Sequence, residues 1–265
     1  MKSRYSILWF VFIILNFFHL SGQDLSKNQF KWNLHEEYTY KVKYSFIRLG
    51  TLKLSVDDTS RIDGHKVYKI MMYVDSNPIL FWVNMHSVFE VYMDESFRPV
   101  LFYSNENIDG VNYRGTFKFN YNKKTVTMNY RSVEDSTKFI NKESPFDDIP
   151  YDGLSLIFFA RGNVGKNKPD TLLVMVEDKR GPVIINFTDK ESNIEIGALD
   201  DELNCYYIDG ELLVEGIAGV SGPYEGWFSR DSHRVPLYAK MKVFIGSVNI
   251  ELEEWKNWNY IAVKN

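Results

Sequence analysis

The sequence predicts an all-β fold, a mainly antiparallel curved sheet with one short helix around residues 152–161. Three observations carry this. Apolar residues recur with a period of two along most of the chain, Asp-Gly pairs fall between the runs, and a single window changes to a helical period. No helical crossover recurs between strands, which argues against a parallel α/β sheet.

The first alternating run is Tyr38, Tyr40, Val42, Tyr44 and Phe46, interleaved with Thr39, Lys41, Lys43 and Ser45. Successive side chains of a strand point to opposite faces, so this is a strand with one apolar face. The same pattern returns in Leu52-Leu54-Val56, Tyr68-Ile70-Met72-Val74, Phe117-Phe119-Tyr121, Val126-Met128-Tyr130, Leu172-Val174-Val176 and Val248-Ile250-Leu252. Asp63-Gly64, Asp109-Gly110 and Asp209-Gly210 suit the positive-φ positions of tight hairpin turns. In the helical window, Leu154, Ile157, Phe158 and Arg161 fall at i, i+3, i+4 and i+7, with Asp152 placed to cap, Ser155 near the N-terminus and Gly162 to terminate. Leu156, Phe159 and Ala160 make the other side apolar too, which predicts a covered helix, a plug or lid on the sheet. An echo joins Asp94…Pro99 to Asp231…Pro236, each pair lying between apolar runs. Shared turn chemistry accounts for it, because Asp bonds nearby backbone and Pro suits a strand start where no N–H is needed.

The N-terminus has the order of a secretory signal peptide over residues 1–23: Lys2 and Arg4, an apolar run from Ile7 to Phe18, then Ser21-Gly22-Gln23. The run is shorter than the roughly 20 apolar residues of a spanning helix. Residues 24–265 are expected to form a single antiparallel β domain with no transmembrane segment, periplasmic in a Gram-negative-type envelope or secreted. The only cysteine is Cys205, so the expected product is not a lipoprotein and has no internal disulfide. A net charge of −4 without a basic cluster argues against nucleic acid as a partner.

Chemistry-bearing patterns are sparse. His35, His65, His86 and His233 are scattered without zinc-ligand spacing, and Cys205 sits in an apolar run with no local base. Asp147-Asp148 and Asp200-Asp201-Glu202 are read as solvated turns rather than a calcium site. Gly162 to Lys166 is too short for a phosphate loop, and Gly216, Gly219, Gly222 and Gly226 lack dinucleotide spacing, so the stretch before Trp227 is read as a rim loop. No catalytic residue, metal or cofactor is expected.

Several pieces taken in order resemble the bacterial exported family catalogued as domain of unknown function 3108. They are Glu37 to Tyr44 leading to Gly50-Thr51-Leu52-Lys53-Leu54, then Val88 to Pro99, the helix Asp152 to Arg161, Trp227-Phe228-Ser229-Arg230-Asp231 with Pro236, and the strand Gly246 to Leu252. The chain departs from the pattern at His35-Glu36-Glu37, where the family usually has a Gly-Glu pair. The resemblance implies a periplasmic β domain shaped as an open or flattened barrel, similar to lipoprotein-carrier and lipocalin-like folds, and supplies no catalytic residues.

The leading functional expectation is a non-catalytic binding module for an apolar ligand, a lipid or a protein segment. Aromatic residues make up 16% of the chain, and the helix can cover an opening. Phe158, Tyr224 and Trp227 are the candidate ligand-binding residues. The alternative is an envelope scaffold or assembly factor acting through sheet edges; a carbohydrate-active hydrolase ranks third, because the sequence shows no acid pair at the separation such enzymes need.

Overall fold

A computed structural model describes residues 29–81, 84–135, 137–177, 179–214, 221–243 and 246–259. The expected signal peptide, residues 1–23, and the glycines Gly216 and Gly219 lie outside the described residues.

Two meanders make up the fold. The first comprises β1 (Glu37–Tyr44), β2 (Ile47–Ile62), β3 (His65–Ser76), β4 (Met85–Asp94), β5 (Pro99–Ile108), β6 (Val111–Asn120), β7 (Thr125–Ser132) and β8 (Phe139–Pro145). The chain then passes through the short β9 (Pro150–Tyr151) and helix α1 (Gly153–Asn163). The second meander is β10 (Lys168–Val176), β11 (Lys179–Ile194), β12 (Leu203–Leu212), β13 (Gly222–Ser229), β14 (Pro236–Lys242) and β15 (Ser247–Lys256). All fifteen strands join one open sheet, in which β1 pairs with β15 at the centre and β8 and β9 form the edges. Every neighbouring pair is antiparallel except β9 with β10.

Asp63-Gly64 and Asp109-Gly110 are the turns the sequence predicts, with positive φ at both residues of each pair. Asp209-Gly210 is not a turn: both residues lie inside β12, where a Cβ on Gly210 would collide first with the Ile184 carbonyl oxygen of β11 and then with the Tyr224 ring of β13. Glycine there admits the close approach of the neighbouring strands rather than a reversal of the chain. The first predicted strand also stops early. β1 ends at Tyr44, Ser45 takes a positive φ, and Phe46 sits in the turn.

One face of the first meander forms the larger core. Cross-strand rows such as Val56, Ile70, Val91, Phe102, Phe117 and Met128 are buried together, joined by Tyr38, Tyr40, Leu237 and Leu252 near the central seam. A second cluster gathers Val174, Val183, Ile185, Phe187, Tyr206, Ile208 and Phe228 from β10–β13. Helix α1 serves both, with Leu154 and Phe158 in the first cluster and Ala160 and the following Val164 in the second. That two-sided burial is what an all-round apolar helix requires.

Candidate functional site

Antiparallel alternation sends the two ends of the strands to opposite ends of the sheet. One end, here the plugged end, gathers α1, the turn between β4 and β5, the loop between β13 and β14, and the segment leading into β1. Asp152 caps α1 by accepting from the backbone N–H groups of Leu154 and Ser155, while Ser155 Oγ accepts from the Asp152 N–H. The helix runs past Gly162 to Asn163, and Gly162 is a packing position: a Cβ there would collide with the Phe97 ring. Gly165, at a φ of 79°, then turns the chain out of it.

Arg161 is the largest fully buried side chain, and it is satisfied on every side. Its guanidinium makes a bidentate ion pair with Glu36, which is also buried, and donates to the His233 carbonyl at 2.8 Å. Phe158 lies 4.7 Å from the guanidinium carbon, and Tyr38 donates its hydroxyl to Glu36 at 2.8 Å. Burial alone would lower the Arg161 pKa, but the Glu36 carboxylate and nearby tyrosines hold it above its ordinary value. Arg234 donates to the carbonyls of Arg161 and Gly162, closing the helix C-terminus.

The echo between Asp94…Pro99 and Asp231…Pro236 resolves into matching turns. Asp94 accepts from the N–H groups of Ser96 and Arg98, Asp231 from those of His233 and Arg234, and each proline opens a strand. Both turns grip the helix end, one through Phe97 and the other through His233 and Arg234.

The three residues singled out from the sequence do not converge. Phe158 is enclosed between Trp32, whose ring stacks at 5.4 Å, and Arg161. Tyr224 and Trp227 lie three residues apart in β13, on opposite faces. Tyr224 packs with the second cluster and donates its hydroxyl to the Ile184 carbonyl, whereas Trp227 sits between Tyr207 and Tyr238 and donates to Ser192 Oγ at 2.9 Å. Trp227 is thus in mid-strand rather than at the end of a loop. Cys205 is fully buried, and burial pushes its thiol up to about 12. Among the described residues, no three His, Cys, Asp or Glu side chains gather where a metal ion could be held, and no helix is long and apolar enough to cross a membrane.

Two surface concavities, of about 350 and 230 Å³, are lined by polar and apolar groups together, Tyr224 among those of the first. Asn186, Tyr207, Asp209 and Glu225 line the first; Asp75, His86, Asn107 and Asn112 line the second. What sequence reading missed is at the far end of the sheet. Phe46 in the turn after β1 is 91% exposed, and Ile79 and Phe81 in the loop after β3 are 81% and 91% exposed. The two loops are neighbours, since the Asn77 side chain and backbone N–H donate to the carbonyls of Arg48 and Leu49. The signal was present as apolar residues directly beside a strand end, but alternation assigned Phe46 to a buried face.

The family model described as protein of unknown function (DUF3108) matches residues 39–253. Among solved structures, the chain is similar to a β-barrel-like protein of domain of unknown function DUF1849 from Brucella abortus, with a TM-score of 0.54 and 9% identity, covering 86% of this chain and 100% of that one. A candidate lipoprotein from Parabacteroides distasonis matches with a TM-score of 0.34 and 10% identity, covering 87% of this chain and 99% of that one. No curated protein matches. The first structural likeness shows a shared barrel-like fold.

Proposed function

For a chain that belongs to the DUF3108 family, we propose the role of an exported, non-catalytic binding protein of the cell envelope, periplasmic and built from one β domain over residues 24–265. It engages an apolar partner, a lipid or a protein segment, through the far end of the sheet. The carrying observation is the exposure of Phe46, Ile79 and Phe81, the three most exposed large apolar side chains among the described residues, on neighbouring loops at one end of the sheet. Each such side chain gains roughly 1.5–3 kcal/mol on leaving water, so leaving them outside costs solubility and is typical of an interaction surface. Phe158, Tyr224 and Trp227 contribute to this reading as the packing that fills the interior.

The test is binding of a fluorescent fatty-acyl probe to the protein lacking residues 1–23, with native mass spectrometry for co-purifying lipid. Saturable binding that falls at least tenfold in a Phe46→Ser, Ile79→Ser double variant, yet persists in Trp227→Phe, is expected. Equal binding by the double variant, or none by either protein, overturns the reading. A second reading, a scaffold working by strand addition, is favoured by β8: this edge strand is largely exposed and presents Phe139 at 64% exposure.

A further inference from the structure

The core face of the first meander changes character near the far end. The row Val56, Ile70, Val91, Phe102, Phe117 and Met128 is wholly apolar. Two rows further along, the same face reads Val74, Ser87, Glu106, Tyr113 and Ser132, with Ser104, Gly115 and Tyr130 in the row between. Ser87 is only 3% exposed, and its hydroxyl has no hydrogen-bond partner among the described residues. Its cross-strand neighbour on that face is Glu106. A second carboxylate, Glu177 from the turn between β10 and β11, stands close enough for its charge to act on Glu106. The rings of Tyr113 and Tyr130 are stacked alongside, 5.7 Å apart.

We infer that this patch is a binding site for a protonated primary amine, with Glu106 as counter-ion, Ser87 Oγ as a further acceptor and the Tyr130 ring as one wall. An ammonium group carries three N–H donors and no acceptor, which suits a carboxylate beside a hydroxyl that lacks a partner. It also relieves the repulsion between two carboxylates and lies favourably against an aromatic face. Anions are repelled by the same pair. A metal ion is poorly served, since the described residues offer no third His, Cys, Asp or Glu ligand. Arg114 and Arg131, paired across β6 and β7, fall on the opposite face by alternation. The inference is independent of the apolar-tip reading and extends beyond it.

Ethanolamine titrated calorimetrically into the protein lacking residues 1–23 tests this, with tetramethylammonium and calcium as comparisons. Vesicles of phosphatidylethanolamine and of phosphatidylcholine separate a lipid headgroup from a free amine. Saturable ethanolamine binding is expected, weakened at least tenfold by Glu106→Gln, weakened several-fold by Ser87→Ala and unaffected by Arg114→Gln. Binding of phosphatidylethanolamine but not phosphatidylcholine vesicles identifies the headgroup as the source; ethanolamine binding without it identifies a free amine. Ser87→Ala carries the same decision should Glu106→Gln fail to fold. No saturable ethanolamine binding, unchanged affinity in both variants, or calcium binding that ethanolamine does not displace, overturns the inference.

Discussion

The two ends of the sheet solve opposite problems. At the plugged end the strongest charges brought inside are paired: Arg161 meets Glu36 and the His233 carbonyl, and Asp152 meets the first N–H groups of the helix. At the far end apolar side chains stand in water, and Glu106 and Ser87 are placed where burial counts against them. The difference separates a region organised for stability, where buried charges are paired, from one where large apolar side chains stand in water.

The comparison breaks most decisively at the ion pair. Glu36→Gln leaves a buried guanidinium without its counter-charge and is expected to cost about 3–5 kcal/mol in urea unfolding; a loss no larger than that of a surface substitution would show that the plugged end is not what holds the sheet. Next in size is Gly162→Ala, whose methyl group meets the Phe97 ring and forces the helix end from its turn. About 1–3 kcal/mol of destabilisation is expected from such overpacking, and an unchanged thermal midpoint would refute the contact.

Glu106→Gln sharpens the contrast in the opposite direction. Burial first, then the Glu177 charge, raise the Glu106 pKa despite the opposing Ser104 hydroxyl. A carboxyl with a raised folded-state pKa contributes stability only while protonated, and that contribution is lost as pH rises through the folded pKa. The Gln variant should therefore melt at higher temperature than the parent at neutral pH, with the gain vanishing below the ordinary glutamate range. A variant less stable at neutral pH would mean that the carboxylate is structurally satisfied. The smallest effect belongs to Phe46→Ser with Ile79→Ser, expected to lie within about 0.5 kcal/mol of the parent by urea unfolding because so little of either side chain is buried.

The sheet was legible because a period of two survives wherever one face is buried, as from Tyr68 to Val74 and from Val126 to Tyr130. The helix was legible for a different reason, since Asp152 and Ser155 encode its start locally. Its end was not, because Gly162 answers to Phe97, a residue 65 positions earlier that no local pattern reveals. Gly210 differs from a turn glycine for the same reason: the Ile184 carbonyl and the Tyr224 ring, both from other strands, occupy the space a side chain would need. His35 shows the reverse. It adopts a φ of 64°, the left-handed region where glycine is at ease, beside the Glu36 that meets Arg161. The sites proposed at the far end depend on rows that cross four or five strands, and cross-strand register is what a single sequence conceals.

The β1–β15 seam sets the order in which this molecule can be finished. Thr39 and Glu254 are register partners, so more than two hundred residues must be made before the first strand acquires its second neighbour. Local hairpins such as β2–β3 can form early, but a chain emerging N-terminus first carries an unpaired β1 edge until its last strand arrives. Loss of the final dozen described residues would strip β15 and leave both β1 and β14 with bare edges. Closure of the seam is therefore a late event, and quality control that reads exposed strand edges would recognise a product that lacks β15.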